Sequence, residues 1–341
     1  MSAEKLRCAL VGAGRHSDAL VNIIQQPGSR SEIVAVVDPD RRQGQAMAQK
    51  LNLDRKRYFP CLTAGVDGLM LDGLELEKEI DAYVVATPAH VRYPVGYGLA
   101  WDKHVFCENP LALTAKQVKV FDHLASWKNL VLMHNEQWFC LPGVNKLSML
   151  TPWDLKRIVI RGKGREVETE VTRIGSHLLS VVTKLFTGPM VACTLWEDCR
   201  DVFEFSTGVG VQVVADFRPR PEGYKVDHCF IRMDGKRGSW LAQGGFLESV
   251  YQRAKPCLSA DPLQEIVDGW EPVEVPNVWP IKDGMETQAQ KDPKMNPTFG
   301  LWCAFEILAL YGGRNPYPPN EFLPTAQAMD MIWSLLKVRD L

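Results

Sequence analysis

The stretch Cys8-Ala9-Leu10-Val11-Gly12-Ala13-Gly14-Arg15-His16-Ser17 decides the fold of this chain. Four apolar residues without alternation read as a short strand buried on both faces, and Gly12-Ala13-Gly14 then turns the chain. A helical stretch follows with Ala19, Leu20, Ile23 and Ile24 on one face, and Pro27-Gly28 ends it. Ile33-Val34-Ala35-Val36-Val37 is a second, β-branched strand that closes on Asp38, 24 residues beyond Gly14. Strand, glycine turn, helix and acid-terminated strand make a dinucleotide-binding βαβ unit. In it Gly12 forms the tight turn and Gly14 lets the backbone approach a pyrophosphate at the helix N-terminus, with Arg15 and His16 counted in the same loop. Ser17 fills the third small-residue position. Asp38 can accept from a ribose 2′-hydroxyl and would repel a 2′-phosphate, which favours NAD. Arg41 and Arg42 could each reach such a phosphate, which keeps NADP open. The alternative reading is an ordinary structural turn with Asp38 as a helix cap.

The alternation continues outward from this unit. Asp40 to Leu51 reads as a helix, and Ala82 to Ala86 as a buried strand ending at Thr87-Pro88. A helix over Tyr93 to Trp101 precedes the strand His104 to Cys107, which ends at Glu108-Asn109-Pro110. A helix over Ala115 to Ser126 leads into the strand Leu130 to Met133. Such strands predict an α/β class with a doubly wound parallel sheet, whose ligands collect beyond the carboxyl ends of the strands. Those ends read as Gly12, Asp38, Thr87, Glu108 and His134.

From about Thr151 the texture changes to longer strands. Lys156 to Arg161, Val191 to Trp196, Val202 to Phe205 and Gly210 to Phe217 follow, the last reading as a half-buried antiparallel strand. His228 to Met233 and Ser239 to Ala242 flank the hairpin turn Asp234-Gly235-Lys236-Arg237-Gly238. Asn296 to Tyr311 reads as a helix whose Phe299, Trp302 and Phe305 form core, and Ala326 to Val338 as the last helix. The basic loop Arg161 to Arg165 reads as a solvated charge run. The expectation is an α+β domain with an open, mostly antiparallel sheet. One face of such a sheet must be covered, by helices or by a second subunit.

At 341 residues the chain has room for about two domains, here 1–135 for the cofactor and 136–341 for substrate and assembly, the last helix being able to pack back on the first. Lys plus Arg is 39 and Asp plus Glu 41, so the net charge of 39 − 41 = −2 argues against a general nucleic-acid binder. No apolar run approaches the roughly 20 residues of a membrane helix, and the N-terminus carries no leader pattern, so a cytoplasmic protein is expected. Nine irregularly spaced cysteines without a Cys-x-x-Cys pair read as reduced thiols. No His, Cys and carboxylate cluster suggests a metal.

Together, Gly12-x-Gly14, Asp38, Ala86-Thr87-Pro88, His104 through Pro110 and Gly175-Ser176-His177 resemble the glucose-fructose oxidoreductase, inositol dehydrogenase and MocA (Gfo/Idh/MocA) family. The resemblance implies a Rossmann domain paired with an open-faced sheet domain, and NAD(P)-dependent oxidation or reduction of a sugar, cyclitol or related carbonyl compound. It also implies that Thr87 and Pro88, with His90 beside them, flank the nicotinamide and ribose, and that Glu108 lies near the nicotinamide. Three positions depart from the family pattern. Asn109 stands where the family has a proton-transferring lysine, and an amide can orient a hydroxyl or carbonyl but has no titratable proton. Arg173 stands where an aspartate precedes the motif histidine, a reversal that favours anionic groups on the substrate. Arg92 or His90 stands where a histidine usually follows the Thr-Pro pair.

The expected function is hydride transfer between NAD, or NADP, and a sugar-like, cyclitol, carbonyl or imine compound. His177 is the candidate proton carrier and Asn109 orients the reacting group. Two alternatives remain: a catalytically silent dinucleotide-binding regulator, and a redox-neutral lyase or glycosidase that uses NAD. A homodimer or homotetramer joined through the second sheet is the family-like expectation.

Overall fold

The computed structural model of the chain describes residues 5–14, 17–26, 29–62, 78–140, 155–162, 171–185, 190–196, 199–218, 230–235, 238–243, 250–254, 271–272 and 297–339. The chain divides into two units, one of residues 1–137 and 289–323 and the other of 138–288 and 324–341.

In the first unit β1 (Leu6–Val11), β2 (Ser31–Val37), β3 (Tyr58–Phe59), β4 (Ala82–Val85), β5 (His104–Glu108) and β6 (Leu132–Asn135) form one sheet in the order β3-β2-β1-β4-β5-β6. Every pair is parallel. The order reverses direction at β1, which is the switch point of a doubly wound sheet. Cys8, Ala9, Leu10, Val36, Val84, Val85 and Phe106 are wholly buried, which is why their sequences show no alternation. Helix α1 (Ser17–Ile24) buries Leu20, Val21, Ile23 and Ile24, whereas Ala19, expected on that face, is exposed. Asp40 caps α2 (Arg41–Lys50) by accepting from the N–H groups of Arg42 and Gln43. Helices α3 (Tyr93–Ala100) and α4 (Ala115–Trp127) follow as expected, α4 capped by Thr114.

Strand β6 sits two residues later than the apolar run suggested. The Leu130 N–H closes α4 on the Ala125 carbonyl, and the Val131 N–H goes to Nδ1 of His104 at 2.9 Å, so the run begins inside a turn. The strand therefore ends at Asn135, and His134, read as a strand end, lies within it. His134 is buried, its ring 4.9 Å from that of Phe322.

The chain returns to the first unit late. Helix α6 lies further on than α5, the short helix Ser176–Leu185 of the second unit described below, and spans Pro297–Tyr311. Its Trp302 and Phe305 pack edge-on against Phe106, with ring centroids 5.3 and 5.5 Å away. Buried Glu306 on α6 accepts from the Ser29 hydroxyl and the Arg30 N–H, both at 2.8 Å, and ties the helix to the start of β2. This helix groups with the first unit, and α7 (Leu323–Arg339) groups from Pro324 onward with the second.

The second unit is built on β7 (Leu155–Arg161), β8 (Met190–Trp196), β9 (Cys199–Thr207), β10 (Gln212–Asp216), β11 (Phe230–Gly235), β12 (Gly238–Gln243), β13 (Val250–Ala254) and β14 (Glu271–Pro272). The order is β14-β13-β12-β11-β7-β10-β9-β8, antiparallel except where β10 runs parallel to β7. β10 is not half-buried: Val214 and Asp216, expected to face solvent, are both buried. For Asp216 the cause is electrostatic. Asp216 lies opposite Arg161 in register and receives its Nε at 2.8 Å, so two polar side chains are buried as a pair. Arg161 is accordingly no solvated loop residue, and 163–165 of that basic run lie outside the described residues. The same device recurs one strand over, where Asp234 takes Arg157 at 2.9 Å and lies 3.3 Å from Arg232, all three buried. Helix α5 contacts β7 and buries Leu178, Leu179, Val181, Val182 and Leu185.

Candidate active site

The glycine turn is built as its sequence requires. Gly12 has φ +96°, and a Cβ there would come within 2.9 Å of the Ala86 carbonyl carbon and oxygen at the end of β4. Only glycine fits so close to a neighbouring backbone at that dihedral. Gly14 differs: a Cβ on it would meet nothing within 4 Å, so open space adjoins the loop just before α1. Its carbonyl accepts from the Ser17 N–H at 3.0 Å and from the Ser17 hydroxyl, and Ser17 is fully buried at the helix start. A tight turn, an open backbone and a helix N-terminus fit a pyrophosphate.

Asp38 is 8% exposed at the end of β2. One carboxylate oxygen accepts from the Ala13 N–H at 2.6 Å, and the other from the Asp40 N–H at 2.7 Å. The carboxylate therefore fastens the glycine turn to the second strand. Each oxygen keeps further acceptor capacity for a ribose hydroxyl. The helix cap considered for Asp38 is made by Asp40 instead. Tyr58 donates to the Asp38 carbonyl at 3.0 Å, and Gly44 leaves room for its ring, where a Cβ would lie 2.2 Å from Cε2. Burial, and then the Asp38 charge, raise the Tyr58 phenol above its ordinary range. Arg41 and Arg42 are exposed at the start of α2.

Beyond β4 and β5 the two turns are joined by a side chain that sequence reasoning touched only as a departure. Arg92 is 2% exposed. Its Nε donates to the Pro110 carbonyl at 2.8 Å and its Nη2 to the Glu108 carbonyl at 2.8 Å. Nη1 donates to the Thr87 carbonyl and lies 3.4 Å from the Thr87 hydroxyl, which itself donates to the Val91 carbonyl. Thr87 is half-buried, while Pro88 and His90 are exposed.

Glu108 and Asn109 are half-buried, and the Asn109–Pro110 peptide is cis. The Glu108 carboxylate takes the Asn135 amide on Oε1 at 3.0 Å and the Asn109 N–H on Oε2 at 3.3 Å. Asn135 and the buried Glu136 were missed because the strand before them was expected to end earlier. Cys107, one position before Glu108, is fully buried. Burial pushes its thiol up to about 11 against the opposing pull of Arg92, so it is a packing group rather than a nucleophile.

His177 begins α5 after a π-helical turn at Val171–Gly175. Its ring lies flat on that of Trp138, with centroids 4.8 Å apart and 7° between planes. The stack fixes the imidazole plane. Gly175 and Ser176 beside it are buried. Arg173 lies on the π-helical turn, but its side chain is outside the described residues, as are Arg15 and His16. No group of three or more His, Cys, Asp or Glu able to hold a metal occurs among the described residues. Nor is any described helix long and apolar enough to cross a membrane. No disulfide joins Cys8, Cys61, Cys107, Cys193 or Cys303.

The turn, the acid and the strand order define a dinucleotide-binding Rossmann fold. Residues 6–136 match the Gfo/Idh/MocA family, an oxidoreductase family with an NAD-binding Rossmann fold. Residues 6–136 of the first unit are thus similar to the NAD-binding domain of that oxidoreductase family. Solved structures extend the fold to the rest of the chain. The WlbA dehydrogenase from Bordetella pertussis, in complex with NADH and UDP-GlcNAcA, is 15% identical with a TM-score of 0.70, over 99% of this chain and 97% of that one. KijD10, a 3-ketoreductase from Actinomadura kijaniata in complex with NADP, is 14% identical with a TM-score of 0.70, over 97% of each chain. The UDP-N-acetylglucosamine 3-dehydrogenase GnnA from Acidithiobacillus ferrooxidans is 13% identical with a TM-score of 0.66, over 96% of this chain and 97% of that one.

Proposed function

We propose that this protein transfers hydride between NAD(P) and a hydroxyl-bearing or carbonyl carbon of a sugar-like substrate, with a proton route that does not use a lysine at the Glu108-Asn109-Pro110 turn. The observation that carries this is the set of strand ends in the first unit. An open Gly14 backbone, a fastened Asp38 and a braced Thr87 and Glu108 line the carboxyl edge where such sheets bind dinucleotides. Gly12, Gly14 and the start of α1 would hold the pyrophosphate, and Asp38 the adenosine ribose. Thr87, Pro88, His90 and Glu108 would flank the nicotinamide half. Bound there, the cofactor supplies the hydride acceptor or donor, and the chain's own residues orient the reactants and move the proton.

At Asn109 the amide donates to or accepts from the reacting oxygen and holds it in one direction. His177 is the proton carrier in this reading, its plane fixed by Trp138. Arg173 is proposed to favour anionic groups on the substrate, consistent with a sugar nucleotide or sugar acid. The same reading takes the protein as cytoplasmic and as a homodimer or homotetramer joined through the second sheet. The division of labour proposed is cofactor on 1–135 and substrate and assembly on 136–341.

The test is a titration with NADH and NADPH, followed by reduced-nicotinamide absorbance across sugar nucleotides, sugars, cyclitols and imines. Tight dinucleotide binding with turnover of a sugar-like compound is expected, with Asn109→Lys altering its pH profile. Failure to bind either dinucleotide overturns the reading. Binding without turnover on every compound would favour a silent regulator, the second reading, which the missing titratable group at Asn109 supports.

A further inference from the structure

We propose that Arg92 is a positioning residue that sets the nicotinamide half of the cofactor site by locking the turns after β4 and β5 to one another. The inference rests on the proposed dinucleotide site and goes beyond it, because Arg92 need not touch the cofactor.

The geometry is specific to a guanidinium. Three nitrogens in one plane reach three backbone carbonyls, those of Thr87, Glu108 and Pro110, on two separate turns. Lysine has one ammonium centre and no fork, and histidine has at most two N–H groups on a small ring, so neither spans the same three acceptors. The first turn carries Thr87 and Pro88. The second carries Glu108 and Asn109. Two of the three carbonyls belong to Thr87 and Glu108, assigned to the nicotinamide half, and the third to Pro110 on the Glu108 turn; none belongs to the glycine turn or Asp38, which serve the adenosine half.

Burial makes the clamp strong. Arg92 is 2% exposed, and its acceptors are carbonyls and a hydroxyl rather than a carboxylate. Charge-assisted hydrogen bonds to neutral carbonyls in a dry site hold geometry well, because no water competes for the donors. They leave the cation uncancelled by a carboxylate within the clamp. The same positive charge lies under the turns that would flank the nicotinamide, where it disfavours the cationic, oxidised ring relative to the neutral, reduced one.

The test compares NADH, NAD and ADP binding to the full-length protein and to its Arg92→Gln and Arg92→Lys variants. Wild type is expected to bind ADP and NADH. In Arg92→Gln the NADH dissociation constant should rise by about tenfold or more, as loss of charge-assisted bonds implies, while that for ADP stays within about twofold. Arg92→Lys keeps the charge but not the fork, so it should lose NADH affinity to a similar extent while keeping the wild-type ratio of NADH to NAD affinity. In Arg92→Gln that ratio should fall.

Thermal melting of each variant shows whether it is folded, and if Arg92→Gln does not fold the Arg92→Lys measurement decides. Equal weakening of ADP and NADH would show a general structural role and overturn the proposal. Unchanged NADH affinity in the folded variants would overturn it too. Absence of ADP and NADH binding by the wild type would instead sink the dinucleotide reading on which it rests.

Discussion

Both units bury arginines, and they hold them in opposite ways. At the strand ends of the first unit Arg92 is held by carbonyls of two turns. Inside the second sheet Arg157 and Arg161 are held by the carboxylates of Asp234 and Asp216 on adjacent strands, and Arg232 lies beside Asp234 on its own strand. A cation on carbonyls fixes backbone and keeps its charge, whereas a cation on a carboxylate cancels it. The first arrangement suits a rim where a ligand is to be placed. The second suits a sheet interior that must register its strands.

That contrast can be broken most severely at Asp234. Replacing it by Ala leaves Arg157 and Arg232 buried without their carboxylate, and should cost about 3–5 kcal/mol in chemical denaturation. Dinucleotide affinity of the protein that remains folded should not change, because the pair lies in the other unit. A shared loss of affinity would show that the two sheets are not independent.

Gly12→Ala attacks the first sheet at its tightest point. The positive φ and the 2.9 Å approach to Ala86 predict a loss of about 1–3 kcal/mol. Here NADH binding should fall as well, which distinguishes a site residue from the sheet interior. Fluorescence titration alongside denaturation reads both effects.

Asp216→Asn sharpens the comparison through pH. Burial alone would raise this carboxyl, but Arg218 and Arg161 outweigh it and hold it below its ordinary value. A group depressed on folding stabilises above its unfolded pKa of about 4, and that contribution disappears as pH falls through the folded value. The variant should therefore be less stable by about 1–3 kcal/mol at neutral pH. The gap between it and wild type should close in strongly acidic buffer. A gap that is the same at every pH would mean the pair contributes by shape and not by charge.

The smallest effect is expected at Cys107. With its thiol at about 11 and fully buried, it should resist alkylation in the native protein at mildly alkaline pH and react only after unfolding. Mass spectrometry of the native, alkylated chain is the measurement, and rapid native labelling of Cys107 would contradict its packing role.

Most of the first unit was legible because its signals are local. Uninterrupted apolar runs, a glycine at the turn and an acid 24 residues on carry the βαβ unit without any knowledge of distant contacts. The match over residues 6–136 and the parallel order of the six strands agree with that reading. The offset of β6 escaped it, because a turn bond to Ala125 and the ring of His104 compete with strand pairing. In the second unit the alternation of β10 misled, since polarity was taken as exposure. Asp216 is polar and buried, and nothing near it in sequence names Arg161 as its partner.

What the sequence determined by itself is the class of chain: a parallel α/β sheet with a dinucleotide turn, and a second, mostly antiparallel sheet beyond it. What only the tertiary structure decided is how the polar side chains are used. Asp38 clamps the glycine turn while Asp40 caps the helix, and Arg92 binds two turns together. Glu108 takes Asn135, and the helix Pro297–Tyr311 returns to the first unit. Apolar burial follows from periodicity along one segment. A buried hydrogen bond depends on which distant acceptor the fold brings within 3 Å, and no local pattern encodes that.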